Sequence, residues 1–211
     1  MIPDIFERPE STDGVVVREI WQENVYHLTP ADFARGGVAV DVGANIGAFS
    51  LFCASLGARR VIACEPEEDN YQSLLKNLER NPALRGVVEP VQLAVWSHAA
   101  TLGVRSRFGG AHVVEQAEER REVAAVSLDE LFAARGIDEC EVLKLDVEGA
   151  EYPIFRGLST ATQDRCRRIV LEFHPAPDEV FGRLIAQLTR THKMIVLGSV
   201  DRGGYIWADR Y

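Results

Sequence analysis

The chain has 211 residues, 46% of them hydrophobic and 26% charged, and 23 basic against 32 acidic side chains leave a formal net charge of −9. That length and balance describe one globular domain with a substantial core. The excess of acid argues against nucleic acid as the main partner, and no apolar run approaches the ~18 residues of a membrane span.

Cys53, Cys64, Cys140 and Cys166 form no C-x-x-C pair, which argues against a zinc ribbon or a thioredoxin-type redox site. They read as reduced thiols of a cytoplasmic protein. The opening stretch "MIPDIFERPESTDG" lacks the charged-then-apolar pattern of a signal peptide.

In chain order, residues 1–36 are the least regular. "GVVVREIWQENVYHL" reads as a short hairpin or as a strand leading to a helix, and is expected to cap the site. A domain follows over 37–211. "VAVDV" at 38–42 is a buried strand, and Ile46, Phe49, Cys53 and Leu56 then repeat at helical spacing. "VIACE" at 61–65 is the second strand, followed by a helical stripe at Tyr71, Leu74, Leu75 and Leu78. The third strand is read in "VQLAVWS", and 96–126 as an irregular insert. Ser127 and Glu130 form a capping box that opens a helix, with Gly136 as its stop. "VLKLDV" at 142–147 and "IVLEF" at 169–173 are strands, and Val180, Phe181, Leu184, Ile185 and Leu188 mark another helix. "KMIVLGSV" and "GYIWADR" read as two closing strands around Gly203 and Gly204. This alternation of short β-branched runs with helices predicts an α/β fold, a doubly wound, mostly parallel sheet covered on both faces.

In such sheets ligands bind beyond the carboxyl ends of the strands. Asp41 and Gly43 fall where the first strand ends. Gly43 and Gly47 allow a sharp turn and a close approach to a ligand, and the next helix offers free N–H groups. The spacing is G-x-x-x-G with an acid two residues before it, not the G-x-G-x-x-G of dinucleotide enzymes. An acid there repels a pyrophosphate and suits a ligand with a cationic amino group and hydroxyls, as S-adenosylmethionine has. Glu65 closes the second strand, where a carboxylate accepts both hydroxyls of a ribose, and Pro66 ends that strand. A plain tight turn is the alternative. A noncatalytic adenosine-binding domain would keep Asp41 and Glu65 and need nothing further along the chain. An NAD-dependent oxidoreductase is weakened by the missing close glycine pair.

"DVGANIGAFS", "EPEEDNYQSLLKNL", "VSLDEL", "LKLDVEGAE" and "LEFH" follow one another in that order. Together they resemble the FkbM family of S-adenosylmethionine-dependent methyltransferases over about residues 37–174. The resemblance implies a class I methyltransferase fold, Rossmann-like, with seven strands of which the last is antiparallel. It implies methyl transfer to an oxygen of a small molecule, with transfer to nitrogen as the alternative. By the same resemblance Asp41, Gly43, Ala44, Asn45 and Gly47 hold the methionine part and Glu65 with Pro66 the ribose. Adenine is expected against Ala94 and Val95, with Trp96 and Ser97 beside them.

Strand alternation points Lys144 and Asp146 to one side, so Asp146 is expected to face the cofactor and the acceptor. Lys144 lies deeper, and a buried lysine requires a carboxylate partner. Glu172 and His174 share a face of the next strand. His174 is the expected general base, because imidazole titrates near neutrality. A histidine that only bonds a loop carbonyl is the alternative, with His112 and His27 as reserves. Glu148 and Glu151 read as acids at a helix start. Asp146, Glu172 and His174 would also suit a divalent ion. The reading adopted has no metal, and the sequence leaves the oligomeric state open.

Overall fold

The computed structural model describes residues 3–107, 110–114 and 121–211, with side chains outside 105–120. Helix α1 spans Asp13–Arg18 and runs directly into a π-helical turn, Glu19–Glu23, which ends at Asn24 in the left-handed region (φ 50°). A 3-10 turn covers Pro30–Phe33. The valine run is therefore helical, not the strand or hairpin expected from its β-branching. Val17 and Ile20, one turn apart, bury themselves against the domain, and this packing overrides propensity.

Next come β1 (Val38–Val42), α2 (Ala48–Ser55), β2 (Arg60–Cys64), α3 (Glu68–Arg80), α4 (Pro82–Arg85) and β3 (Val88–Val91). Strands β4 (Ala94–Val95), β5 (Ala100–Arg107), β6 (Gly110–Val114) and β7 (Arg121–Val126) precede α5 (Leu128–Arg135). The chain closes with β8 (Cys140–Leu145), α6 (Glu151–Gly157), α7 (Thr160–Asp164), β9 (Cys166–Phe173), α8 (Asp178–Leu188), β10 (His192–Ser199) and β11 (Gly203–Arg210). No helix among the described residues is long and apolar enough to cross a membrane.

Among these residues the main sheet has seven strands in the order β10-β11-β9-β8-β1-β2-β3. It is parallel except for β11, which runs antiparallel to both β9 and β10. The chain steps outward from β1 to β3, then returns to the other side of β1 at β8. The β1–β8 junction is thus the switch point, where a crevice opens beyond the strand ends. Alternation along β1 divides the core. Val38, Val40 and Val42 join Phe132, Ile154, Phe155 and Leu184 on one face of the sheet. Ala39 joins Ile46, Phe49, Leu51 and Leu74 on the other.

Two expectations about the middle of the chain are corrected. The third strand of the main sheet is Val88–Val91, not the "VQLAVWS" stretch. It contains Pro90, which lacks an N–H and is tolerated because β3 is an edge. The chain leaves this sheet after Val91. The stretch 96–126 is not irregular: β4, β7, β5 and β6 form a second sheet in that order. Phe108, Gly109 and residues 115–120 of the stretch lie outside the described residues. The capping box opening α5 is present, and Gly136 ends the helix in the left-handed conformation (φ 60°). All four cysteines are buried and free.

Candidate active site

The turn after β1 is built from left-handed residues: Gly43 (φ 77°), Asn45 (φ 49°) and Gly47 (φ 84°). Asparagine tolerates this region better than most residues, and glycine adopts it freely. The backbone N–H groups of Gly43 and Ala44 both donate to the Cys64 carbonyl, which ties the turn to the end of β2. A Cβ at Gly43 would overlap the carbonyl oxygen of Asp146, so only glycine lets the β1 and β8 turns meet this closely. Helix α2 consequently starts at Ala48, leaving Ile46 in the turn.

Glu65 sits just past β2 and is 2% exposed. Its Oε2 accepts the Asn45 N–H at 2.7 Å and its Oε1 accepts the Glu67 N–H at 2.9 Å and the Asn70 side-chain amide at 3.3 Å. Burial raises its pKa to about 7, although those two backbone amides pull it back. The N-terminal segment reaches this corner through Arg8. Its guanidinium grips Asp13, donates to Asn70 Oδ1 at 2.7 Å and lies 3.4 Å from Asn45 Oδ1.

Beneath the turn, Asp41 is fully buried. Its Oδ2 accepts the Ser50 hydroxyl at 2.6 Å, and its Oδ1 lies 3.1 Å from the Lys144 ammonium, off the hydrogen-bond axis. Lys144 Nζ also donates to the Gly43 carbonyl at 2.7 Å and stands 3.7 Å from Asp146 Oδ2. Burial alone would lower the lysine pKa, but Asp41 and Asp146 outweigh it and raise it. The deep lysine thus has the carboxylate partner that its burial requires.

A cavity of ≈150 Å³ opens at the switch point. Gly43, Asn45, Glu65, Pro66 and Asn70 line one side, and Asp146, Glu148 and Glu172 line the other. Glu19, Ile20 and Tyr26 of the N-terminal segment complete it. Among the described residues no basic side chain lines it. Tyr26 donates to Asp146 Oδ2 at 3.3 Å. Burial and then the Asp146 charge raise the Glu172 pKa to about 7, against a lowering from His174. Burial likewise raises the Glu19 carboxyl, reinforced by Glu23 and Asp146. The cavity therefore concentrates like charges, and a cation carrying hydroxyls would relieve them. That donor set fits the cationic, ribose-bearing cofactor expected from the sequence.

Gly43, Asn45, Glu65, Pro66, Asp146 and Glu172 are thus brought together around one space. Asp41 lies behind it. The direct contact with a ligand's ammonium expected of Asp41 is taken by an internal ammonium, that of Lys144. Ala44 is buried in the core, and Gly47 packs against Leu74. Ala94 and Val95 are buried, paired with β7 in the second sheet, and do not line this cavity. Trp96 joins the same core.

His174 does not suit the base role expected of it. Its Nε2 lies 3.2 Å from Glu148 Oε2 and its Nδ1 lies 3.3 Å from Glu151 Oε1. Burial would lower its pKa, but the two carboxylates beside the ring outweigh this and raise it to about 10. At neutral pH the ring already carries the proton that a base would have to accept. Glu151 is the first residue of α6 and also accepts the His174 and Gly149 backbone N–H groups. Its contacts thus tie together the backbone around the start of α6, whereas Glu148 reaches the cavity. His27 packs its ring on Trp207, and the His112 side chain lies outside those described. Among the described residues no three His, Cys, Asp or Glu side chains are grouped to hold a metal ion.

Sequence reasoning missed Glu19, Tyr26, Arg8 and Asn70. Asn70 lies on the opening turn of α3, five residues past Glu65, and could have been found by placing Glu65 at the helix mouth. The other three come from a segment whose fold was misread.

The family model described as the methyltransferase FkbM domain matches residues 41–197. The hexuronic acid methyltransferase AglP of Haloferax volcanii is 28% identical over 172 aligned positions, covering 77% of this chain and 69% of that protein. The 31-O-demethyl-FK506 methyltransferase FkbM of Streptomyces tacrolimicus is 28% identical over 219 aligned positions, covering 87% and 82%. Methyltransferase FkbM from Methylobacillus flagellatus has a solved structure similar to this one with a TM-score of 0.62 at 15% identity. That match covers 96% of this chain but 48% of the other, so this chain spans about half of that protein's length. TrmK from M. capricolum, solved with S-adenosyl-homocysteine, gives a TM-score of 0.53 at 11% identity, covering 89% and 66%. At these identities the two solved structures attest the Rossmann-like class I fold.

Proposed function

This chain belongs to the FkbM methyltransferase family, and from that premise we propose that it methylates a hydroxyl of a small molecule of sugar or natural-product type. The observation that carries this reading is the cavity at the β1–β8 switch point, where Glu65 faces Asp146 and Glu172. The names of the two curated relatives, a hexuronic acid and an FK506 methyltransferase, support an acceptor of this class.

When bound, S-adenosylmethionine supplies a methyl group on a sulfonium sulfur, activated for in-line displacement by an acceptor oxygen. The turn at Gly43 and Asn45 would hold its methionine part and Glu65 its ribose diol. An alcohol is a weak nucleophile at neutral pH, so its proton must be taken as it attacks. Glu172 takes that proton on its carboxylate: a pKa of about 7 places it at the useful point between ionised and neutral forms. Asp146, hydrogen-bonded by Tyr26, orients the acceptor. The segment 1–36 caps the cavity with Ile20 and Tyr26 and excludes water. The acceptor is free in a cytoplasmic setting rather than attached to nucleic acid or membrane.

The test is incubation with methyl-labelled S-adenosylmethionine and a panel of neutral sugars, uronic acids and macrolide alcohols, with products read by mass spectrometry. Label on an acceptor oxygen is expected. Label found only on nitrogen would overturn the hydroxyl assignment, and label on no member would overturn the acceptor class.

A further inference from the structure

Burying an ammonium is costly unless it is paired and hydrogen-bonded, and Lys144, with a side chain 4% exposed, is almost completely enclosed. One carboxylate would suffice to neutralise it. The structure gives it more: besides Asp41 at 3.1 Å it donates at 2.7 Å to a backbone carbonyl, that of Gly43. Gly43 is the residue held at positive φ, packed against the Asp146 carbonyl and followed by the Asn45 N–H that binds Glu65. Asp41 in turn is fixed by Ser50 on α2, the helix that follows the same turn. The ammonium is therefore a peg between the rigid strand β8 and the turn that leads to the ribose-holding carboxylate. The ring of Phe49, 5.8 Å from Nζ, walls it from the other side.

We infer that Lys144 is a positioning residue for the cofactor: through the Gly43 carbonyl it holds the β1 turn in its binding shape, with Asp41 as its anchor. This rests on the reading that the turn receives S-adenosylmethionine. The rival role is simple charge balance, in which Lys144 does no more than neutralise Asp41. The two roles part when both charges are removed together. Charge balance is then restored, but the bond to Gly43 is not.

The experiment is calorimetric titration of the full chain with S-adenosylhomocysteine, alongside thermal unfolding. The wild type is expected to bind at one site. Lys144→Met is expected to bind at least tenfold more weakly, and Lys144→Arg, which keeps a donor, to fall between it and the wild type. The decisive variant is Lys144→Met combined with Asp41→Asn. Its thermal midpoint should recover relative to Lys144→Met while its affinity stays at least tenfold weak. Affinity within threefold of wild type in that double variant would overturn the inference. Because the double variant leaves no fully buried unpaired charge (Asp146, 3.7 Å from the ammonium, has a side chain 32% exposed), it keeps the test available should Lys144→Met alone fail to fold. A wild type that binds no S-adenosylhomocysteine would instead overturn the methyltransfer reading itself.

Discussion

On the β1–β2 side of the cavity the carboxylates are already engaged. Glu65 accepts two backbone N–H groups, and Asp41 rests on Ser50 and Lys144. On the β8–β9 side Glu172, Asp146 and Glu148 crowd together with Glu19. The same side-chain chemistry thus serves two ends. Engaged acids are preorganised to receive a ligand with little rearrangement. Crowded acids resist ionising together, which holds one of them ready to accept a proton.

The sharpest way to break this contrast is Glu172→Gln. Loss of a general base costs roughly 10²–10⁴-fold in rate, and the fall in transfer expected of the wild type below about pH 7 should disappear with it. S-adenosylhomocysteine affinity should stay within threefold. An unchanged rate of labelled methyl transfer would show that the crowded side does not supply the base.

Next in size is Gly43→Ala, which strikes the engaged side. The added Cβ meets the Asp146 carbonyl and the backbone is held at positive φ. Overpacking and backbone strain of this kind cost about 1–3 kcal/mol each. Urea denaturation should show the loss, and calorimetry should show weakened S-adenosylhomocysteine binding.

Tyr26→Phe removes the hydrogen bond to Asp146. A bond of this type is worth about 0.5–1.5 kcal/mol, or somewhat more to a charged group, so a several-fold fall in transfer rate is expected with cofactor affinity unchanged.

The smallest effect concerns His174. Its pKa is raised in the folded state to about 10 from the ordinary histidine value, so the folded protein binds this proton more tightly than the unfolded chain. The stabilisation is complete below the unfolded value and is lost as pH rises through the folded one. Thermal midpoints should therefore decline over that window more steeply in the wild type than in His174→Gln. Equal slopes would contradict the pairing with Glu148 and Glu151.

The sequence was most readable where local chemistry and tertiary packing agree. Strands β1 and β2 are mainly apolar, β-branched runs, and β8 and β9 carry buried apolar runs at their centres. Helix α5 carries its own start in Ser127 and Glu130 and its own stop in Gly136. The glycine turn and the acid at the end of β2 were legible because backbone geometry demands particular residues there. Readability failed where distant partners decide. Valines 15–17 look like a strand until Ile20 and the domain surface are in place. Strand β3 is hidden by Pro90, which only an edge tolerates. His174 looks like a base until Glu148 and Glu151, more than 20 positions earlier, close on its ring. Tyr26 reaches Asp146 across 120 residues, a distance no local pattern spans.

The cavity at the β1–β8 switch point is proposed here as a S-adenosylmethionine site held by Glu65. Calorimetric titration of wild type and Glu65→Gln with S-adenosylhomocysteine, with NAD as the control ligand, tests it most directly. One site for S-adenosylhomocysteine is expected in the wild type, with binding at least tenfold weaker in Glu65→Gln and no heat from NAD. Undiminished binding in the variant, or binding of NAD in place of S-adenosylhomocysteine, would contradict it.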